Sequence, residues 1–208
     1  MPATRKQSAS VYDVHPSLGM YQSSLAALKQ KTGRTLEEWI KLVKKEAPAT
    51  EKERRAWLKT EHGLGMNYAE WIAEQSVGKG DDGNPETYLK HAEEFVQSMY
   101  SGAKEPLRPV YEELLALGRS LGNDVKVCPC KTMVPLYRKH VFAQIKPTTR
   151  TRIDLGLALK DTKVPKRLID TGGFAKKDRI THRIEITSVK DIDAEVKKWL
   201  KTAYEMDK

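Results

Sequence analysis

The residues with the most chemistry to offer are cations, and they are concentrated in one stretch. Between Lys126 and Arg183 there are 15 Lys or Arg and 4 Asp or Glu, a local excess of +11 in a chain of formal net charge +9. Such a stretch suits a polyanion: each phosphate it neutralises releases counterions, so binding weakens steeply as salt rises. The candidate ligand-binding residues are Lys131, Tyr137, Arg138, Lys146, Arg152, Lys176, Lys177, Arg179, His182 and Arg183. Tyr137 and Phe142 lie among the charges, where an exposed ring can stack on a base. The segments 160–166 and 172–179 add positive charge in loops. A solvated surface with a basic bias explains the same composition without any ligand.

Other residue types give weaker signals. Cys128-Pro129-Cys130 supplies two soft metal ligands at most, and nothing in the spacing brings His140 or His182 to them. The intervening proline also departs from the Cys-x-x-Cys redox pattern. His182 is in phase with Ile180, Ile184 and Ile186, which points it inward, and His62 ends a helix beside Gly63. No serine has a Gly-x-Ser-x-Gly context. Gly63-Leu64-Gly65 and Gly172-Gly173 lack the remainder of a phosphate loop. The acids Asp154, Asp161, Asp170 and Asp178 are scattered among bases. No catalytic residue, metal ligand or cofactor is assigned, and a binding protein is expected in preference to an enzyme.

The elements that must position these residues fall into two parts. The chain of 208 residues is 39% hydrophobic and 31% charged, enough apolar material for a core of domain size. Residues 1–12 read as a flexible polar tail, 13–77 as a helical domain, 78–84 as a linker and 85–208 as a second domain. The glycines, aspartates and proline near residue 80 are turn chemistry with little to bury.

In the first domain, helix 1 spans about Ser17–Lys31 and stops at Gly33. Thr35-Leu36-Glu37-Glu38 and Thr50-Glu51-Lys52-Glu53 each carry a cap hydroxyl with a carboxylate three residues on, the signature of a capping box. Asn67 to Glu70 reads as an Asn-capped variant that opens a fourth helix. Trp39, Trp57 and Trp71, one per helix, are expected to fill the core of this small domain. Helices three and four have helix-turn-helix spacing. The second of them offers two acids, Glu70 and Glu74, and no base, so major-groove reading is not expected.

In the second domain, Asn84-Pro85 opens one helix, and a second runs from about Glu105 to Leu121, stopped by Gly122. The apolar period then shortens from near 3.6 to 2 at Val125/Val127, Val134/Leu136, Val141/Ala143/Ile145, Ile153 to Leu159, and Ile180/Ile184/Ile186. Pro135 places its strand at an edge or in a bulge. A last helix begins near Val189. The fold class is therefore α+β: a small four-helix N-terminal domain plus a C-terminal antiparallel sheet packed with helices.

Three motifs in order, Thr32-Gly33-Arg34-Thr35-Leu36-Glu37-Glu38-Trp39, Glu53-Arg54-Arg55-Ala56-Trp57-Leu58-Lys59 and His62 to Ile72, resemble a bacterial family known only as a domain of unknown function. The resemblance covers about residues 13–76. Phe142-Ala143, Leu155-Gly156-Leu157 and Thr181 to Thr187 resemble a second uncharacterised family, whose members are sometimes labelled predicted transport proteins and sometimes sit beside nuclease-like domains. Lys131-Thr132 before the second strand also fits that family, whereas Pro135 departs from its pattern. The resemblance implies a cytoplasmic protein of two packed modules and carries no active site.

Engagement of nucleic acid or another phosphorylated ligand through the basic sheet and loops is the leading expectation. A protein-interaction or small-ligand module, with His182 and Tyr137 as polar contacts, is the alternative. No run of eighteen apolar residues is present, so no membrane span is expected, and the two cysteines suit a reducing compartment.

Overall fold

The structure is a computed structural model and describes residues 11–79, 84–163 and 166–208. The described chain divides into two compact units. Pro16–Tyr88 forms one, and residues 11–15 with Leu89–Lys208 form the other.

Four helices build the first unit: α1 (Ser17–Thr32), α2 (Leu36–Glu46), α3 (Glu51–Thr60) and α4 (Met66–Ser76). Gly33 ends α1 with a left-handed φ of 80°, which glycine adopts without steric cost. Both expected capping boxes are present. The Thr35 hydroxyl accepts from the Glu38 N–H at 3.2 Å and the Glu38 carboxylate accepts from the Thr35 N–H at 2.7 Å. Thr50 and Glu53 repeat the arrangement on α3. The expected cap at Asn67 is corrected. The N-cap of α4 is Gly65, which has no side chain to contribute, and Asn67 lies inside the first turn.

Leu28, Trp39, Val43, Leu58, Leu64, Ala69, Ile72 and Ala73 pack as one core. The Trp39 indole N–H donates to the Thr32 hydroxyl at 2.8 Å, so the buried polar edge of the ring is satisfied. His62 has its ring edge-on to both Trp39 and Trp57, at centroid distances of 5.2 and 4.3 Å.

The second unit holds α5 (Pro85–Met99, whose first turn belongs to the first unit), a 3-10 turn at Gly102–Leu107, α6 (Arg108–Arg119), and six strands. These are β1 (Lys126–Val127), β2 (Val134–Tyr137), β3 (Val141–Pro147), β4 (Ile153–Leu157), β5 (Ile169–Asp170) and β6 (His182–Ile186). A second 3-10 turn at Val189–Asp191 leads into α7 (Ala194–Met206). Every pairing is antiparallel, in the order β1-β2-β3-β4-β6-β5.

Register explains the core. Val134, Ile145, Leu155 and Ile184 form one cross-strand row, and Leu136, Ala143, Leu157 and His182 form the next, all buried. Pro135 sits one strand in from the edge, and the register shift falls beside it, between Leu136 and Tyr137. The bulge expectation therefore holds and the edge expectation does not. The Pro135 carbonyl still accepts from the Cys128 N–H at 3.2 Å.

Two helix expectations also change. The helix placed from Glu105 begins as a 3-10 turn because Pro106 and Pro109 interrupt the amide donors, and its α-helical part starts at Arg108. Gly122 is not a left-handed cap. A Cβ there would lie 2.2 Å from the Tyr204 hydroxyl oxygen and 2.6 Å from Asp124 Oδ1, so a side chain at this position would have to displace the Tyr204–Asp124 hydrogen bond. At Gly118 in α6, a Cβ would meet Leu136 Cδ1 at 2.5 Å. Gly118→Ala is expected to overpack this fully buried contact and lower the urea unfolding midpoint by the equivalent of about 1–3 kcal/mol.

Residues 11–15 lie along the second unit. Tyr12 is buried and its hydroxyl is 3.2 Å from that of Tyr111. Asp13 brackets Val127, donating its N–H to the Val127 carbonyl and accepting the Val127 N–H on its carboxylate, both at 2.8 Å. His15 Nε2 lies 2.9 Å from the Tyr137 hydroxyl. Of the tail expected over 1–12, residues 1–10 lie outside the described residues, and Tyr12 belongs to the folded unit. In the expected linker, residues 80–83 are likewise outside.

Candidate ligand pocket

The sheet brings Arg152, Arg183 and Lys146 to its outer face, as their strand phase requires. The same register brings acids there too. Lys146 pairs with Asp154, and Asp154 pairs with Glu185. Two carboxylates directly opposite each other repel. Arg152 and Arg183 offset that repulsion: Arg152 lies 3.0 Å from Asp154 and 2.9 Å from Glu185, and Arg183 lies 3.1 and 2.8 Å from the same two. Arg152 Nε and Arg183 Nη1 face these oxygens without hydrogen-bond geometry, so the contacts are Coulombic. Five charged side chains on this face sum to +1. The expectation of a basic sheet surface is corrected: its arginines are committed to carboxylates of the same sheet.

Other members of the expected set are also committed or inaccessible. Arg138 pairs with Asp124 at 2.7 Å and lies 4.4 Å over the Tyr204 ring. His182 is buried, with Nδ1 2.8 Å from the Thr181 hydroxyl, and so cannot touch a ligand from the surface. Tyr137 is half-buried against His15, and burial pushes its phenol up to about 12. Burial pulls the His15 imidazole below its ordinary range. Lys131 is exposed in the turn before β2, remote in sequence from the loops described next. Cys128 is buried, and burial raises its thiol to about 12, which keeps it protonated and poorly nucleophilic at neutral pH. Among the described residues no group of three or more His, Cys, Asp or Glu could hold a metal ion.

Of the remaining expected cations, Lys177 and Arg179 line a cavity of about 550 Å³, within the range of small-molecule sites, and the exposed Lys176 does not. Lys160, Phe174, Lys177, Arg179, Thr181 and Met206 are among its lining residues. Its construction is legible in the backbone. The Thr181 hydroxyl accepts the Leu159 N–H at 3.1 Å, which fixes the exit of β4 and hence Lys160. On the other side, Gly173 accepts from the Lys176 and Asp178 N–H groups, and a Cβ at Gly173 would lie 2.4 Å from the Ile180 carbonyl. That tight turn presents Phe174, which is 54% exposed, and Lys177.

Lys160 and Lys177 have φ of 55° and 60°. They are the two non-glycine residues with positive φ among the described residues, and both line this cavity. A residue with a Cβ costs about 1–2 kcal/mol in that conformation, and such strain concentrates at binding sites. Among the described residues neither ammonium has an ion-pair partner.

Arg179 is held in place. Its guanidinium pairs with Asp207, and its Nε donates to the Val141 carbonyl at 2.9 Å. Asp207, 3% exposed, also accepts from the His140 N–H at 2.8 Å and sits 3.0 Å from His140 Nδ1. Burial alone would raise the Asp207 carboxyl, but the His140 hydrogen bonds and the Arg179 charge outweigh it and hold the group below its ordinary range. Its contribution to stability is therefore present above the ordinary carboxylate pKa, about 3.9, and is lost as pH falls through the lower folded value. Asp207→Asn is expected to cost about 1 kcal/mol at neutral pH and to flatten the acid limb of a plot of unfolding free energy against pH.

Lys177 and Arg179 are among the residues expected from the sequence, Lys160 is expected only as part of the basic loop 160–166, and Phe174 and Asp207 are not expected. The signal for Phe174 is an aromatic residue in a Gly-Gly-x-Ala-Lys-Lys loop with no large apolar side chain beside it in sequence.

A helical unit joined to an antiparallel sheet with a loop-built cationic pocket defines a two-domain α+β protein. The chain belongs to the family described as Domain of unknown function (DUF5655), whose model matches residues 96–207. Residues 20–76 match a second family, described as Domain of unknown function (DUF4287). No curated protein and no solved structure matches the chain.

Proposed function

We propose that this protein binds a phosphorylated ligand of nucleotide size in the pocket formed by the β4 exit and the 173–179 turn. The observation that carries the reading is the convergence of Lys160 and Lys177 on one cavity beside the exposed Phe174 ring, with Arg179 and Asp178 also on the lining. Lys160 and Lys177, which have no ion-pair partner among the described residues, suit phosphate oxygens, Arg179 is held against Asp207 and shapes the wall, and an exposed ring suits the π-face of a base. The site is on the loops and not on the sheet, because the sheet arginines are neutralised where they stand. Action in the cytoplasm of a bacterium is part of this reading. It rests on the free Cys128 and Cys130 thiols and on the motif resemblance.

The test is calorimetric titration of the full chain with nucleoside monophosphates and triphosphates, a short single-stranded oligonucleotide and inorganic phosphate, at low and high salt. Nucleotide binding that weakens with salt is expected. Lys160→Ala with Lys177→Ala should weaken it about tenfold or more, the loss of one charge-assisted contact or more. Phe174→Ala should weaken nucleotides more than phosphate. Oligonucleotide binding much tighter than nucleotide binding would extend the site to nucleic acid. Absence of binding at low salt, or affinity unaffected by the lysine pair, would overturn the reading.

A further inference from the structure

Three strand ends meet at one end of the sheet: the start of β3, the exit of β4 and the start of β6. The β3–β4 ladder runs on past its last residue pair, with the Ala158 N–H donating to the Phe142 carbonyl at 2.9 Å. His140, which precedes β3, therefore lies at the same end as Lys160, which follows β4, and Arg179, which comes before β6. Asp207, at the C-terminus of α7, joins this group.

The contacts are specific to single atoms. Asp207 Oδ1 is shared by the His140 ring, with Nδ1 at 3.0 Å, and by the Arg179 guanidinium. Asp207 Oδ2 accepts the His140 backbone N–H at 2.8 Å. Arg179 lines the pocket, and so does Met206, the residue before Asp207. His140 thus stands directly behind a wall residue. An ionised carboxylate only accepts, so Nδ1 carries the proton of the neutral imidazole and Nε2 carries the lone pair. Backbone and ring are both tied to one carboxylate, which fixes the imidazole. The His140 side chain is 66% exposed, and its Nε2 has no partner among the described residues. A carboxylate that orients one ring nitrogen and leaves the other open is the arrangement of a general base.

We infer that the protein hydrolyses the terminal phosphoanhydride of a nucleoside di- or triphosphate, with His140 as the general base. The inference rests on the nucleotide pocket proposed above. His140 stands beside the lining and not on it, a place suited to a group that acts through a water, whereas a nucleophilic imidazole would have to reach the phosphorus itself. Nε2 takes a proton from the water, the water oxygen bonds to the terminal phosphorus, and the bridging P–O bond breaks. Its electron pair leaves on the bridging oxygen of the shortened nucleotide, where Lys160 and Lys177 offset the added charge. The imidazolium, paired with Asp207, then gives its proton to solvent. Inorganic phosphate and a nucleotide one phosphate shorter are the products. An anhydride suits one base and two ammonium groups, because a phosphate leaving group departs without first being protonated. An alkyl ester would call for a general acid as well.

The experiment measures phosphate release by the full chain from nucleoside tri-, di- and monophosphates in magnesium-containing buffer, with calorimetric binding of the same nucleotides in parallel. Release from the tri- and diphosphates and none from the monophosphate, an alkyl ester, is expected. In water enriched in oxygen-18, the label should enter the released phosphate and not the shortened nucleotide. His140→Asn keeps an amide N–H for Asp207 and removes Nε2. It should bind nucleotide within about threefold of the parent chain and lose phosphate release by about a hundredfold or more, with circular dichroism confirming its fold. A His140→Asn protein that turns over at the parent rate would overturn the inference. So would label in the shortened nucleotide, equal release from the monophosphate, or a parent chain that binds nucleotides and releases no phosphate. Each of these leaves the pocket reading standing, whereas a parent chain that binds no nucleotide overturns both.

Discussion

A chain that begins at Asn84 is expected to be far less stable than the full protein, although it contains all of the residues matched by the DUF5655 model. Among the described residues it loses, the five at 11–15 belong to the second unit. Burial of Tyr12 is worth about 2–3 kcal/mol. The two Asp13–Val127 hydrogen bonds, one of them to a carboxylate, add about 2–4 kcal/mol together. The Val11 carbonyl also accepts from Arg119. A loss of about 4–7 kcal/mol compares with the roughly 5–15 kcal/mol that holds a whole domain. Chemical denaturation of the two chains measures it. Tyr12→Ala in the full chain should account for about 3 kcal/mol by itself. An unchanged midpoint in the shortened chain would show that residues 11–15 lie on the unit without supporting it.

The second large effect is expected at Asp154. Its carboxylate, with the side chain 14% exposed, neutralises Arg152 and Arg183 and accepts from the Thr148 hydroxyl at 2.8 Å. Asp154→Ala leaves two guanidinium groups, each under one-third exposed, with Glu185 as their remaining carboxylate. Breaking a buried pair costs about 3–5 kcal/mol, and the partial exposure here reduces that to about 2–3 kcal/mol. Combining Asp154→Ala with Arg183→Met should recover part of the loss, because the second change removes the stranded charge. The same arrangement separates stability from binding. Arg152→Ala and Arg183→Ala should lower the unfolding midpoint and leave nucleotide affinity within about twofold. A large loss of affinity would return the ligand site to the sheet.

Local chemistry was the part of the fold most readable in the sequence. Thr35 with Glu38 and Thr50 with Glu53 carry their own geometry within four residues, and the change of apolar period after Gly122 separates helices from strands. What failed was non-local. Tyr12 meets Tyr111 across 99 positions, and no local pattern in residues 11–15 announces that contact. Asp154 and Glu185 are 31 residues apart in sequence and become direct neighbours only through the β4–β6 register. The charge count alone therefore read as a basic face. β5 is two residues long, too short for any period. At the pocket, the loop cations were visible as composition, but the left-handed backbone of Lys160 and Lys177 that brings them to one cavity was not.

The second unit is discontinuous in sequence: the chain starts it, leaves at Pro16 to build the helices, and returns at Leu89. Two covalent crossings therefore join the units, and severing the backbone between residues 79 and 84 removes just one. A protein produced as two separate polypeptides, 1–79 and 84–208, should still assemble and copurify, because the first supplies the Tyr12–His15 segment that completes the second. The natural dissection points of this chain are thus unequal. A break after the helices is expected to yield two pieces that reassemble, whereas a break at Pro16 removes an integral piece of the sheet domain.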